Sequence, residues 1–153
     1  MCPRTAVGVP RTATKDCTCI MSTTPAQNRL DVLSAIAKDF TAMARHGGGT
    51  EFVERYFRHV PLDELTTRDP AIYAGSAASH VELARTRMPG TAKVRVYNPT
   101  IEADGWSNPR TVVQIVTDDM PFLVDSVAGA LVSRDIDIHV IVHPQFVVRR
   151  NAV

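Results

Sequence analysis

The side chains whose types and spacing invite a chemical reading are three aspartates, two histidines, a cysteine pair and two pairs of arginines. Asp118, Asp119 and Asp125 could gather oxygens around a divalent cation or share acid–base work. Asp118 and Asp119 are adjacent near the end of a β-rich run, however, so their side chains should point to different faces. Asp119 or its neighbour is expected to cap the helix that follows, where a negative charge is favourable, and Asp125 falls in that helix's first turns. His139 and His143 have the spacing of a zinc pair, but that spacing works only on a helix. Their segment reads as strand, which would put them about 13 Å apart at about 3.3 Å per residue. Ligands to one zinc each lie within about 2 Å of the ion, so a shared ion is excluded. Cys17 and Cys19 could supply two thiolates, but no second pair of ligands lies nearby. Arg85 and Arg87, with Arg149 and Arg150, read as solvated surface or as partners of carboxylates rather than an anion site.

Nothing in the chain assembles a nucleophile, base and oxyanion donors, and no G-x-G-x-x-G follows a strand. No catalytic, cofactor-binding or metal-binding residue is therefore assigned. The 153 residues carry a formal net charge of +1, which gives no global attraction toward nucleic acid or an anionic membrane. Hydrophobic residues make up 44% and charged residues 22%, the balance of an ordinary globular protein. No apolar run approaches the roughly 20 residues needed to cross a bilayer, and the first residues lack a secretory h-region. The cytoplasm is the expected compartment.

The elements that must position these residues follow from periodicity. Residues 1–24 read as a disordered tail, basic and Thr-rich, and Met21-Ser22-Thr23-Thr24-Pro25 reads like a natural start of translation. Residues 25–90 read as helical hairpins. Thr24-Pro25 is a cap followed by proline, and Leu33, Ile36, Ala37, Phe40, Met43 and Ala44 recur at helical spacing up to Gly47-Gly48-Gly49. Thr50 opens a second helix with Phe52, Tyr56, Phe57 and Val60 on one side, closed by Pro61. Leu62 and Leu65 suggest one further turn. Asp69-Pro70 starts another helix, with a stripe of Tyr73, Ala77, Val81, Ala84 and Met88.

After Gly90 the period changes. Lys93-Val94-Arg95-Val96-Tyr97 alternates as a half-buried strand does, and turn signals bracket a loop reaching Pro109. Residues 111–117 are β-branched and read as a buried strand able to pair with 93–97 as a hairpin. Phe122, Leu123, Val127, Ala130 and Leu131 make a helical face, and Ile136 to Arg149 returns to β character, with Pro144 marking a bend or edge. Trp106 falls in a turn-rich loop, either under the hairpin or at an inter-domain contact.

The stretch Asp119-Met120-Pro121-Phe122-Leu123-Val124-Asp125-Ser126-Val127 resembles the first loop and helix of ACT domains. Residues 94–99 and 104–106, then 111–113 and 118–126, then Ile138-His139, His143-Pro144 and 147–150 occur in order. Together they are similar to the first ACT-type region of the large bacterial NAD-specific glutamate dehydrogenases, and the helical lead-in fits too. The resemblance implies an α+β chain: helical hairpins, then an incomplete ferredoxin-like βαββαβ sheet over residues 91–153.

In that fold the third strand lies between the first two. If 111–117 and 138–149 are those two, open edges and a marginal, self-associating fold are expected. The family oxidises glutamate to 2-oxoglutarate and ammonia with NAD, in a catalytic domain far from this region. NAD would belong to the parent enzyme and no cofactor to this chain. The remainder of the dehydrogenase, other subunits of a homo-oligomer and an amino-acid effector are the partners it implies. The effector or interface loop would be Asp118, Asp119, Met120, Pro121 and Phe122. Effector-binding ACT domains carry glycine where this chain has Phe122, whose ring would either fill the ligand space or anchor the helix in the core. The rival reading is a free-standing ACT-type amino-acid-binding module.

Overall fold

Burial at helical spacing organises the first half of the molecule. A computed structural model describes residues 25–44 and 49–149. The readings placed on 1–24 (the tail, its cysteines and the start at Met21), on Gly47-Gly48 and on Arg150 lie outside those residues.

Helix α1 spans Pro25–Met43 and buries Leu33, Ile36, Ala37 and Phe40, one stripe at i, i+3, i+4, i+7. Helix α2, Thr50–Tyr56, buries Val53 and Tyr56. Pro61 caps α3, Leu62–Thr66, which adds Leu65. Helix α4, Pro70–Arg85, starts as its sequence dictates: Asp69 accepts a hydrogen bond from the Ala71 amide at 2.9 Å, with proline at the first helical position. Tyr73, Ala74 and Ala77 complete a core shared by these four helices. Met88 leaves the expected stripe, because α4 ends at Arg85 and Met88 lies exposed in the turn beyond it.

One clamp in this layer has no periodic signature. The Arg29 guanidinium donates to the carbonyls of Val60 at 2.9 Å and Phe57 at 2.7 Å, satisfying the open end of α2 from across the bundle.

Strands β1, Lys93–Tyr97, and β2, Val112–Val116, form the expected antiparallel hairpin, with Arg95 opposite Gln114 and Val96 opposite Val113. The chain is thus α+β, mainly helical with a two-stranded sheet. The connection, read as plain loop, holds a short helix α5, Ile101–Asp104. Its Thr100 side chain accepts from the Ala103 amide while the Thr100 amide donates to Asp104. Gly105, in the left-handed region at φ 75°, ends it.

Helix α6, Leu123–Val132, follows β2. Residues 136–149 do not form the expected strand; they run without a ladder partner. A strand needs a neighbour for its amides and carbonyls, and this largely exposed segment instead sets two of its side chains against the helices. Val142 packs against the helical core and the Phe146 ring stacks on Phe52 at 5.0 Å.

Candidate functional site

The loop between β2 and α6 separates its two aspartates as adjacent positions on extended backbone must. Asp118 turns back toward the end of α4. It forms an ion pair with Arg87 and accepts from the Gly90 amide at 3.0 Å, while Arg87 also donates to the Thr91 carbonyl at 2.9 Å. Asp119 turns the other way and accepts from the Gln145 amide at 3.1 Å. Neither caps α6: the helix starts at Leu123 with Phe122 as its N-cap and no side-chain hydrogen bond there, so both aspartates stand ahead of the capping position and bond elsewhere. Asp125 does lie in the first turn of α6.

Phe122 has φ 61° and ψ 12°, the left-handed region that favours glycine, and its side chain is 76% exposed. It does not anchor the helix in the core. The loop keeps a glycine's backbone shape and displays an aromatic ring from it. Asp119, Met120, Pro121 and Phe122 line one side of an open groove of about 570 Å³, with His143 and Gln145 on the other. Of the five loop residues, Asp118 alone faces away from this groove.

The two histidines are not brought together: His143 lines the groove, whereas His139 meets the guanidinium of Arg110. Among the described residues no group of three His, Cys, Asp or Glu side chains is placed to hold a metal. Arg85 lies against Glu82 on the helix surface, and Arg87 is a buried partner of Asp118 rather than part of an anion site.

A second feature escaped the linear reading. The hairpin turns its polar side inward. Arg95, Tyr97 and Gln114 face α4, and Gln114 is buried. Ser79 of α4 gathers them. Its hydroxyl accepts from Tyr97 at 2.6 Å and from Arg95 at 3.3 Å, and donates to the Gln114 carbonyl at 3.2 Å. The Gln114 amide donates to the Ser76 carbonyl at 3.2 Å. Arg95 lies over the Tyr97 ring at 3.7 Å and donates to Asp104 at 2.7 Å. Burial holds the Tyr97 hydroxyl above its ordinary pKa; the Ser79 hydrogen bond and Arg95 oppose this, and Asp104 adds to it.

Next along α4, the His80 ring spans two elements. Nε2 lies 3.2 Å from the Ile115 carbonyl of β2, and Nδ1 lies 2.8 Å from the Tyr56 hydroxyl of α2. A carbonyl only accepts, so Nε2 carries the hydrogen and Tyr56 donates to Nδ1. Burial lowers the pKa of His80, against the opposing hydrogen bond to Ile115, and burial raises that of Tyr56.

With the polar set turned inward, the outward face of the hairpin is apolar. Val94 and Val96 are 62% and 63% exposed, and their cross-strand partners are Ile115 and Val113. The alternation in Lys93–Tyr97 carried this signal; the sequence alone does not say which of the two sets faces inward.

The glutamate dehydrogenase ACT1 domain model matches residues 52–153, which runs from within α2 through α6 and takes in both candidate surfaces. The chain belongs to the NAD-specific glutamate dehydrogenase family. The Pseudomonas aeruginosa NAD-specific glutamate dehydrogenase is 38% identical over 118 residues, 73% of this chain and 7% of that protein. The Halomonas elongata NAD-specific glutamate dehydrogenase is 31% identical over 126 residues, 80% of this chain and 8% of that protein. The chain therefore spans less than a tenth of the length of these relatives. No solved structure matches it. Among the described residues no helix is long and apolar enough to cross a membrane.

Proposed function

We propose that this chain is a non-catalytic assembly and regulatory segment of an NAD-dependent glutamate dehydrogenase, docked through its hairpin onto another part of the same long polypeptide. The observation that carries the reading is the inverted hairpin: polar side chains packed inward, and Val94, Val96, Val113 and Ile115 turned out. An exposed, contiguous apolar sheet face is a mark of an interaction surface.

Energetics favour an occupant in the same polypeptide over a second copy. Covering these four partly exposed side chains is worth on the order of 1 kcal/mol each, given about 1.5–3 kcal/mol for full burial of such a residue. The sum barely meets the lower estimates, about 4 kcal/mol, of what free association costs. Covalent linkage removes most of that cost. The lengths of the relatives leave ample polypeptide for the role.

In this reading residues 91–153 begin an ACT-type ferredoxin-like sheet. The segment 136–149 joins it when a third strand enters between it and β2, and uncovered edges make the chain alone prone to self-association. NAD and the oxidation of glutamate belong to the parent enzyme, a cytoplasmic homo-oligomer.

A free-standing amino-acid-binding module is the second reading. The glycine-like backbone at Phe122, beside the groove lined by Asp119 and His143, favours it. Saturable quenching of Trp106 by an amino acid would support it.

Replacing the matching segment of the Pseudomonas aeruginosa dehydrogenase with this chain tests the leading reading. The unaltered chimera is expected to assemble and form NADH from glutamate. The Val94→Asp/Val96→Asp chimera is expected to lose assembly, while the same variant of this chain alone keeps its helical content. Equal assembly of both chimeras would remove the proposal's basis.

A further inference from the structure

We infer that His80 is a proton-operated joint: when its ring gains a second proton it leaves its place between α2, α4 and β2, and the hairpin loosens from the helices. The inference concerns how the hairpin is held and stands apart from what docks on it.

The geometry admits only the neutral ring. Nδ1 must be bare to accept from Tyr56, since Nε2–H is committed to the Ile115 carbonyl. A proton on Nδ1 sets donor against donor. Tyr56 then turns its hydroxyl, and in a buried position its hydrogen loses its acceptor.

The surroundings supply no compensating charge. From α2 the ring meets Tyr56, which also stacks edge-on at 5.9 Å. From β2 it meets a carbonyl beside neutral Gln114. On β1, Tyr97 and Arg95 stand one step away through Ser79, and Asp104 of α5 is engaged with Arg95. Glu82 on α4 lies against Arg85. Among the described residues no carboxylate bonds the ring.

Burial lowers the folded-state pKa of His80 below its ordinary value of about 6.5. The neutral ring's contribution is therefore fully present above about pH 6.5 and is lost as pH falls through the folded value. Within that window the open state takes up one proton more than the closed one, so the opening constant rises about tenfold per pH unit.

Trp106, the single tryptophan, reports on the joint because its indole is buried between α4 and Tyr97. Its emission in the full chain is expected to shift reversibly to the red as pH falls from about 6.5 to about 5, with amide protection in β1 and β2, taken relative to each amide's intrinsic exchange rate at that pH, falling over the same range. His80→Gln keeps a donor for Ile115 but cannot titrate, and its emission should stay flat over that range. Tyr56→Phe removes the hydrogen bond that favours the neutral ring and should move the transition to higher pH. His139→Gln and His143→Gln should leave it in place. An unaltered chain that is flat in emission and in amide protection, or a His80→Gln chain that keeps the transition, overturns the inference. Should His80→Gln fail to fold, Tyr56→Phe decides, and an unmoved midpoint there overturns it.

Discussion

Trp106 packs against the backbone of Gly75, so close that a Cβ at position 75 would overlap its Cβ, Cγ and Cδ2 atoms. The contact joins the inter-strand connection to the middle of α4, and Tyr97 meets the same indole edge-on at 6.3 Å. It is the keystone by which a two-stranded sheet, marginal by itself, is held against the helices.

Gly75→Ala separates two opposed effects. Within a helix alanine is favoured over glycine by about 1 kcal/mol on backbone grounds alone. Overpacking a filled site costs about 1–3 kcal/mol, and here the ring has little room to withdraw. The substitution is expected to lower stability by up to about 2 kcal/mol net, read from the midpoint of urea unfolding followed by circular dichroism. A more stable protein would mean that Trp106 is free to move.

The pair Arg87–Asp118 is asymmetric: the arginine side chain is 7% exposed and the aspartate 53%. Removing the aspartate leaves a buried guanidinium without its ion-pair partner. Breaking a buried pair costs about 3–5 kcal/mol, which half-exposure of the aspartate reduces to about 1–2 kcal/mol for Asp118→Ala. Arg87→Met, which removes the buried charge itself, is expected to cost less than Asp118→Ala. The order of the two denaturation midpoints checks this, and the reverse order contradicts it.

At Phe122 the side chain contributes little packing and the backbone carries strain. A non-glycine residue in the left-handed region costs about 1–2 kcal/mol, while glycine adds roughly 0.5–1 kcal/mol of unfolded-state entropy. Phe122→Gly is expected to raise stability by about 0.5–1 kcal/mol in thermal unfolding. A loss would show that the exposed ring makes a contact in solution that holds it there.

Much of this architecture was legible because it rests on local rules. The stripe from Leu33 to Phe40, the Asp69-Pro70 cap and the alternation at 93–97 each specify an element from neighbouring residues alone. What was not legible depends on tertiary partners. Whether Val94 or Arg95 faces inward is set by Ser79 on another element, and Arg29 finds the end of α2 some thirty residues along the chain. The strand expected at 136–149 has the right composition and no neighbour to pair with. Asp119 lies three residues before the N-cap of α6, which begins later than the aspartate and proline suggest, and Gln145 holds its carboxylate. The division of the loop into an inward latch at Asp118 and a groove wall from Asp119 to Phe122 emerges only in three dimensions.

Hydrogen exchange across residues 93–97 and 112–116 tests the docking claim most directly, measured in this chain alone and in the dehydrogenase chimera that contains it. A docked hairpin predicts exchange slower by about tenfold or more in the assembled enzyme, concentrated in the hairpin and not in α1. Equal exchange in the two settings would contradict it, because Val94, Val96, Val113 and Ile115 would then remain open to water in the complete enzyme.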